Sequence, residues 1–195
     1  MEIKSTTWSI NFSGKTIMYI GIAYLLFFGW GFAQESSAEK VAIKGFKRLY
    51  KLNDSIYRSE QPSAKGFQQL EAMGLKTIIN FRRNKKDDRK ARKTALTLEY
   101  LPLKTKELTE EQILMVLKVV HAAEKPVLLH CWHGSDRTGA ISAAYRIVFE
   151  DWEKEEAIKE LRKEEFGYHE NWYPNVMDLL RDLDVDALKK ELDLK

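Results

Sequence analysis

Cysteine is almost missing from this chain: Cys131 is the single thiol in 195 residues. No intramolecular disulfide can form, a cysteine-only metal site is excluded, and so is any reaction that passes a disulfide between two protein thiols. Proline and glycine are sparse too, at four and ten residues, which excludes a linker-rich or disordered chain. Neither sign of charge dominates. Lys and Arg number 32 against 29 Asp and Glu, and the net +3 is too small to argue for a nucleic-acid binder. What is present, 44% hydrophobic and 31% charged residues, is the composition of a soluble globular protein with room for one domain.

Long uncharged runs are absent except at the start. Residues 16–33 (TIMYIGIAYLLFFGWGFA) carry no charge and follow Lys4 and Lys15. The densest part, 17–28, has the length of a signal-peptide core, and Gly31 and Ala33 put small residues at −3 and −1 of a cut before Gln34. The run 16–34 also has the length of a marginal membrane span. Residues 1–33 are therefore read as a cleaved export signal, with an uncleaved N-terminal anchor as the alternative. Either way the rest of the chain is expected in the periplasm or facing it, with membrane contact through 16–33 only if they stay attached. In such an oxidising compartment a lone thiol without a partner points to a chemical task. Residues 34–45 (QESSAEKVAIKG) are polar and read as a tether before a domain at 46–195.

Beyond the tether, helical and strand patterns alternate. Segments 49–52 and 56–58 read as short strands, Pro62 and Ser63 open a helix ended by Gly74, and the β-branched run 76–81 (KTIINF) is a strand. Residues 85–97 read as a charged helix and 98–101 as a strand. Thr109 to Gln112 form a capping box before a helix that carries Ile113, Leu117 and Val120 on one face. A strand at 127–130, a helix from Thr138 to about Glu150, and helices at 153–163, 174–183 and 187–192 complete the pattern. Strands separated by helices imply an α/β fold with a central, mainly parallel sheet flanked by helices.

Chemistry concentrates in PVLLHCWHGSDRTGAISAAYRIV, residues 126–148. A buried strand delivers Cys131, a short loop with Gly134 follows, and Arg137 stands where an apolar helix begins. Successive backbone N–H groups in such a loop form an anion-binding nest, and the helix N-terminus adds its positive end. Arg137 offers a planar fork for two phosphate oxygens. A positive nest favours the thiolate of a cysteine beside it. Phosphoryl transfer requires an in-line nucleophile, charge stabilisation and help for the leaving group, and these parts supply most of it.

The segment His130-Cys131-x5-Arg137-Thr138 resembles the signature of the cysteine-dependent protein tyrosine and dual-specificity phosphatases. The wider similarity is to exported bacterial dual-specificity-like phosphatases, and more distantly to plant and fungal atypical ones. IYRSEQP at 56–62, GLKTIINFR at 74–82 and FGYH at 166–169 extend the resemblance over most of the chain after residue 53. It implies the cysteine phosphatase fold and hydrolysis of phosphomonoesters, phosphotyrosine and also phosphoserine or phosphothreonine in proteins, through a phosphocysteine and with no metal or cofactor. It makes Cys131 the nucleophile and Arg137 the phosphate binder and transition-state stabiliser. Thr138 would hydrogen-bond the sulfur, His130 would orient the loop, and Trp132, His133, Gly134, Ser135 and Asp136 would contribute backbone donors. Arg82 and Arg58 are candidates for the pocket mouth, with Arg58 also a candidate tie between loops.

One part of the family pattern is missing. The general acid is an Asp on a separate loop, expected here at 104–108, and that loop reads KTKEL. Asp136 inside the phosphate loop is the preferred substitute, as in myotubularin-type lipid phosphatases. Glu107 is the alternative, and Asp87 or Asp88 come third. A metal reading of His130, Cys131 and His133 fails for want of a fourth ligand. Rhodanese-type sulfurtransferases usually have a loop of different size, and related arsenate reductases need more cysteines. The eight cations between Arg82 and Lys93 read mostly as a solvated face. His169 is expected to be a structural hydrogen bonder, and Trp152, Trp172 and Tyr173 to pack the C-terminal helices. Two other functions stay open: a phosphatase for inositol polyphosphates or phospholipid head groups, and a non-catalytic phosphate-binding module.

Overall fold

The computed structural model describes residues 37–194, so the expected export signal or anchor at 1–33 lies outside the described residues. Among the described residues, no helix is long and apolar enough to cross a membrane.

Two fully buried strands form the centre: β4 (Thr77–Asn80, TIIN) and β6 (Val127–His130, VLLH). Alternate side chains point to opposite faces. Ile79, Val127 and Leu129 join one apolar cluster, while Ile78 and Leu128 join another with Phe67 and Leu70 of α1 (Ala64–Ala72). A strand covered on both faces reads as a continuous apolar run, the signature of a parallel sheet. Each fully buried Ile or Leu there contributes about 1.5–3 kcal/mol.

The sheet has six strands in the order β1-β2-β3-β6-β4-β5, with β1 Glu39–Lys40, β2 Tyr50–Lys51, β3 Ile56–Ser59 and β5 Thr97–Tyr100. Strands β3, β6, β4 and β5 run parallel, and β1 and β2 add an antiparallel edge. The expected α/β architecture with a mainly parallel sheet is what forms. Register then places the site. Ser59 and Asn80 both pair with His130, so three strands end level and send their following loops out of the same sheet edge. Ligand sites of parallel sheets lie outside the carboxyl ends of strands.

Helix α2 is short (Asp88–Ala91); α3 (Glu110–Ala122) starts at the Thr109 capping box, with both of its hydrogen bonds present. Helix α4 (Asp136–Phe149) follows the loop after β6 and is buried along most of its length. Helices α5 (Lys154–Leu161), α6 (Asn175–Asp182) and α7 (Val185–Glu191) close the chain.

Three expectations are corrected. The tether ends early: Glu39–Lys40 pairs with β2, Val41 and Ile43 pack against the α1-side cluster, and the Ala38 N–H donates to Glu160 at 2.9 Å. The charged stretch 85–97 is helical only at Asp88–Ala91. The Lys85 carbonyl accepts from the Asn80 side chain and Asp87 is buried against His130, so one local and one long-range bond hold the chain out of helical form before residue 88. Helix α4 begins at Asp136 rather than Thr138, which brings Asp136 and Arg137 into its first turn.

Candidate active site

The loop 131–137 is shaped by where its carbonyls go. The Cys131 carbonyl is 3.1 Å from His130 Nδ1, and the Trp132 carbonyl accepts from the Gln61 N–H at 3.1 Å. The Gly134 carbonyl accepts from Arg58 Nη2 at 2.8 Å, and the Ser135 carbonyl from the Gly139 N–H at 2.7 Å. A trans peptide points its N–H opposite to its C=O. Holding four carbonyls against the scaffold therefore turns the N–H groups of Trp132, His133, Ser135 and Asp136 the other way, which is how a nest for an anion is made. Ser135 at the head of α4 makes no side-chain cap, so the helix start keeps its N–H donors for the loop.

Gly134 has φ +76°, and a Cβ there would lie 2.6 Å from the Ser59 carbonyl carbon and oxygen. Only glycine fits both the backbone conformation and the space. Arg58 is buried beneath the loop with its guanidinium 4.2 Å from the Phe166 ring centroid. Burial pushes it down to about 10, against the opposing pull of Glu160 and Cys131. It is a tie between loops rather than part of the pocket mouth.

A second chain of bonds runs from the buried side to the rim. His130 Nε2 is 2.8 Å from Asp87 Oδ2, and Gln61 donates to Asp87 Oδ1 at 2.8 Å. Burial alone would raise the Asp87 carboxyl, but hydrogen bonds from His130, Gln61 and Asn80 outweigh it and hold the group below its ordinary value. Asp87 thus fixes the imidazole that meets the Cys131 carbonyl, and it is spent there as a general-acid candidate. Asp88 stands exposed in the first turn of α2. Arg82 reaches Gln61 and lies over the exposed Trp132 ring at 4.5 Å. Burial lowers its pKa, with Arg137 adding to the effect and Asp87 and Cys131 opposing it.

Asp136 is turned elsewhere. Its Oδ1 accepts from the His169 N–H at 2.9 Å, and both oxygens lie 3.0–3.1 Å from His169 Nδ1. His169 in turn stacks on the exposed Trp172 at 5.0 Å, so Trp172 covers this histidine instead of packing the C-terminal helices. The Asp136 carboxylate, the preferred acid of the sequence reading, is thus engaged by the backbone and the ring of His169. Glu107 instead shares a cavity of about 290 Å³ with Arg137, Arg83, Thr105 and Tyr173. Arg137 Nη1 donates to the Phe81 carbonyl at 3.1 Å, and Glu107 pairs with Lys104 at 2.8 Å on the surface. Cys131 itself is buried at the base of the loop, and among the described residues the buried hydroxyls of Thr138 and Ser135 have no hydrogen-bond partner.

Comparisons with known proteins bear on the family and the fold. The sequence family described as "DSP-PTPase phosphatase fused to NAD+ Kinase" matches residues 38–172. The dual specificity protein phosphatase TpbA of Pseudomonas aeruginosa strain UCBPP-PA14 is 34% identical over 161 residues, covering 80% of this chain and 72% of that protein. The chain belongs to the cysteine-based dual-specificity phosphatase family. Its fold matches a crystal structure of P. aeruginosa TpbA, a cysteine-to-serine variant in complex with phosphotyrosine, with TM-score 0.73, 29% identity, and coverage of 83% of this chain and 98% of that one. The core catalytic domain of the PP-IP phosphatase SIW14 from S. cerevisiae shares the fold, at TM-score 0.64 and 18% identity over 78% of this chain and 96% of that one. The protein is a metal-independent phosphatase.

Sequence reasoning missed two residues that serve this phosphatase site. Asp87 stood out only as a spare carboxylate, with nothing local to connect it to His130 43 positions away. Asn175 donates to the Thr105 carbonyl at 2.8 Å and so holds the loop that carries Glu107. Its position directly after Pro174 at the start of α6 was the only available signal.

Proposed function

We propose that this phosphatase acts on phosphotyrosine in proteins, with Cys131 as nucleophile, Arg137 as phosphate clamp and Glu107 as proton donor. The observation that carries the reading is the loop 131–137, whose carbonyls are tied outward so that its N–H groups converge. The Cys131 thiolate attacks phosphorus, the bond to the leaving oxygen breaks, and Glu107 protonates that oxygen. Water then attacks the phosphocysteine and gives a proton back to Glu107; the S–P bond breaks, and phosphate leaves with the thiolate restored. Arg137 and the loop N–H groups hold the equatorial oxygens through both steps. The unpartnered Thr138 hydroxyl is suited to donate to the departing sulfur. The TpbA complex with phosphotyrosine supports the substrate. A phenolic leaving group needs less protonation than an alkoxide, which fits an acid on an exposed glutamate. The test is hydrolysis of p-nitrophenyl phosphate without added metal, beside Cys131→Ser. Turnover lost in the variant is expected; equal turnover in both sinks the reading.

The export reading belongs to the same proposal. Lys15 followed by the uncharged run 16–33, with Gly31 and Ala33 before Gln34, supports delivery across the cytoplasmic membrane. Alkaline phosphatase fused after residue 45 is expected to be active in cells, and an inactive fusion would place the domain in the cytoplasm.

A further inference from the structure

Beside the phosphate loop lies a second cavity of about 400 Å³, and two of its walls are the loop residues Trp132 and His133. Three cations from two separate parts of the chain face it: Lys47 and Arg48 from the connection between β1 and β2, and Lys90 from α2. Glu60 is the single carboxylate among the lining residues, and it is already engaged. It accepts the backbone N–H groups of Lys47 at 2.6 Å and Arg48 at 2.9 Å, which fixes the connection without pairing the side-chain charges. Among the described residues, no carboxylate forms an ion pair with Lys47, Arg48 or Lys90. Among the described residues, Lys90 reaches the Pro62 carbonyl, at 3.3 Å. Burial pushes its ammonium down and the nearby Arg82 charge adds to this, while Asp87 pulls the other way.

We propose that this cavity is a second anion subsite, which selects phosphopeptides carrying another negative group close to the phosphotyrosine. It rests on the phosphotyrosine reading above and names the substrate class of the same site. Three cations against one occupied carboxylate in the lining bias this concave wall to positive potential, with Lys47 and Arg48 also bordering a neighbouring cavity that holds Glu164 and Glu165. Trp132, half exposed and braced by Arg82, separates the cavity from the phosphate loop. An extended peptide advances about 3.3 Å per residue, so a neighbouring side chain spans such a partition. The shared chemistry is an oxyanion, either a carboxylate of Asp or Glu or a second phosphate.

The test uses the full 195-residue chain and three phosphotyrosine peptides of otherwise equal sequence, flanked by Ala, by Glu, or by phosphoserine. Affinity is read by fluorescence anisotropy on Cys131→Ser, with and without Lys47→Gln/Lys90→Gln, and thermal midpoints confirm that the variants fold. The Glu or phosphoserine peptide is expected to bind about fivefold tighter than the Ala peptide, with the gain removed by the double substitution and reduced by salt. A gain for Glu alone or phosphoserine alone identifies which oxyanion is read. Equal affinity for all three, or a preference that survives the double substitution, overturns the subsite. Wild-type turnover of p-nitrophenyl phosphate reports separately on the catalytic reading, since that substrate carries no second anion.

Discussion

The floor and the rim of the phosphate loop are built on different principles. The floor is buried and polar: Arg58, Ser59, Asn80, Asp87 and His130 are all nearly inaccessible, and four loop carbonyls end in fixed hydrogen bonds. The rim is exposed and built from rings and cations, with Trp132 52% and Trp172 66% accessible and Arg82 and His169 stacked against them. Buried polar groups cost free energy whenever a partner is lost, so the floor has one geometry it can hold. Exposed stacks and ion pairs contribute little each and can be traded without moving the loop. The floor is suited to fix the chemistry, and the rim is where selectivity is free to vary.

Breaking the floor should have the largest effect. Gly134→Ala forces a Cβ to within 2.6 Å of Ser59 at a positive φ, and loss of stability of at least about 1–3 kcal/mol is expected by urea unfolding, together with loss of turnover. Arg137→Lys keeps the charge but not the fork, and kcat should fall about 10²- to 10³-fold on any phosphate ester.

Glu107→Gln against Asp136→Asn sharpens the comparison between the two candidate acids. The first should lower kcat on an alkyl phosphate about 10²-fold, and on p-nitrophenyl phosphate less than about tenfold. Asp136→Asn should show no such dependence on the leaving group. If it alone does, Asp136 is the acid despite its contact with His169.

Asp87 links the floor to pH. Its folded carboxyl lies below its ordinary value, so its stabilisation is present above about pH 4 and is lost as pH falls through the folded value. Asp87→Asn should lower stability at neutral pH and flatten the acid side of the stability curve; a parallel curve would show that the charge is not what holds His130. The smallest effect belongs to the rim. Trp132→Ala should change kcat on p-nitrophenyl phosphate less than about threefold, because Gln61 still holds the loop through the backbone of residue 132.

How legible each part was follows from the range of its interactions. Strands 127–130 and 76–81 were visible as apolar or β-branched runs, and the Thr109 capping box as a four-residue pattern, because their causes are local. The pairing of Cys131 with Arg137 was visible for the same reason. The charged stretch 85–97 misled, since its helical composition is overridden by bonds from Asn80 and His130. Strand β1 was hidden because a two-residue edge carries too little pattern to register.

Asp136 shows the limit most clearly. One carboxylate next to the phosphate loop invites an acid role, and only the fold reveals His169, 33 residues later, occupying both oxygens. By itself the sequence determined the α/β class and the placing of Cys131, Gly134 and Arg137 in one loop between a strand and a helix, because each follows from a pattern within a few residues. Tertiary structure alone decided which carboxylate supports His130, which faces the Arg137 cavity and which cations gather beside Trp132. Those assignments depend on the common end of three parallel strands bringing distant loops together, and no local pattern encodes that meeting.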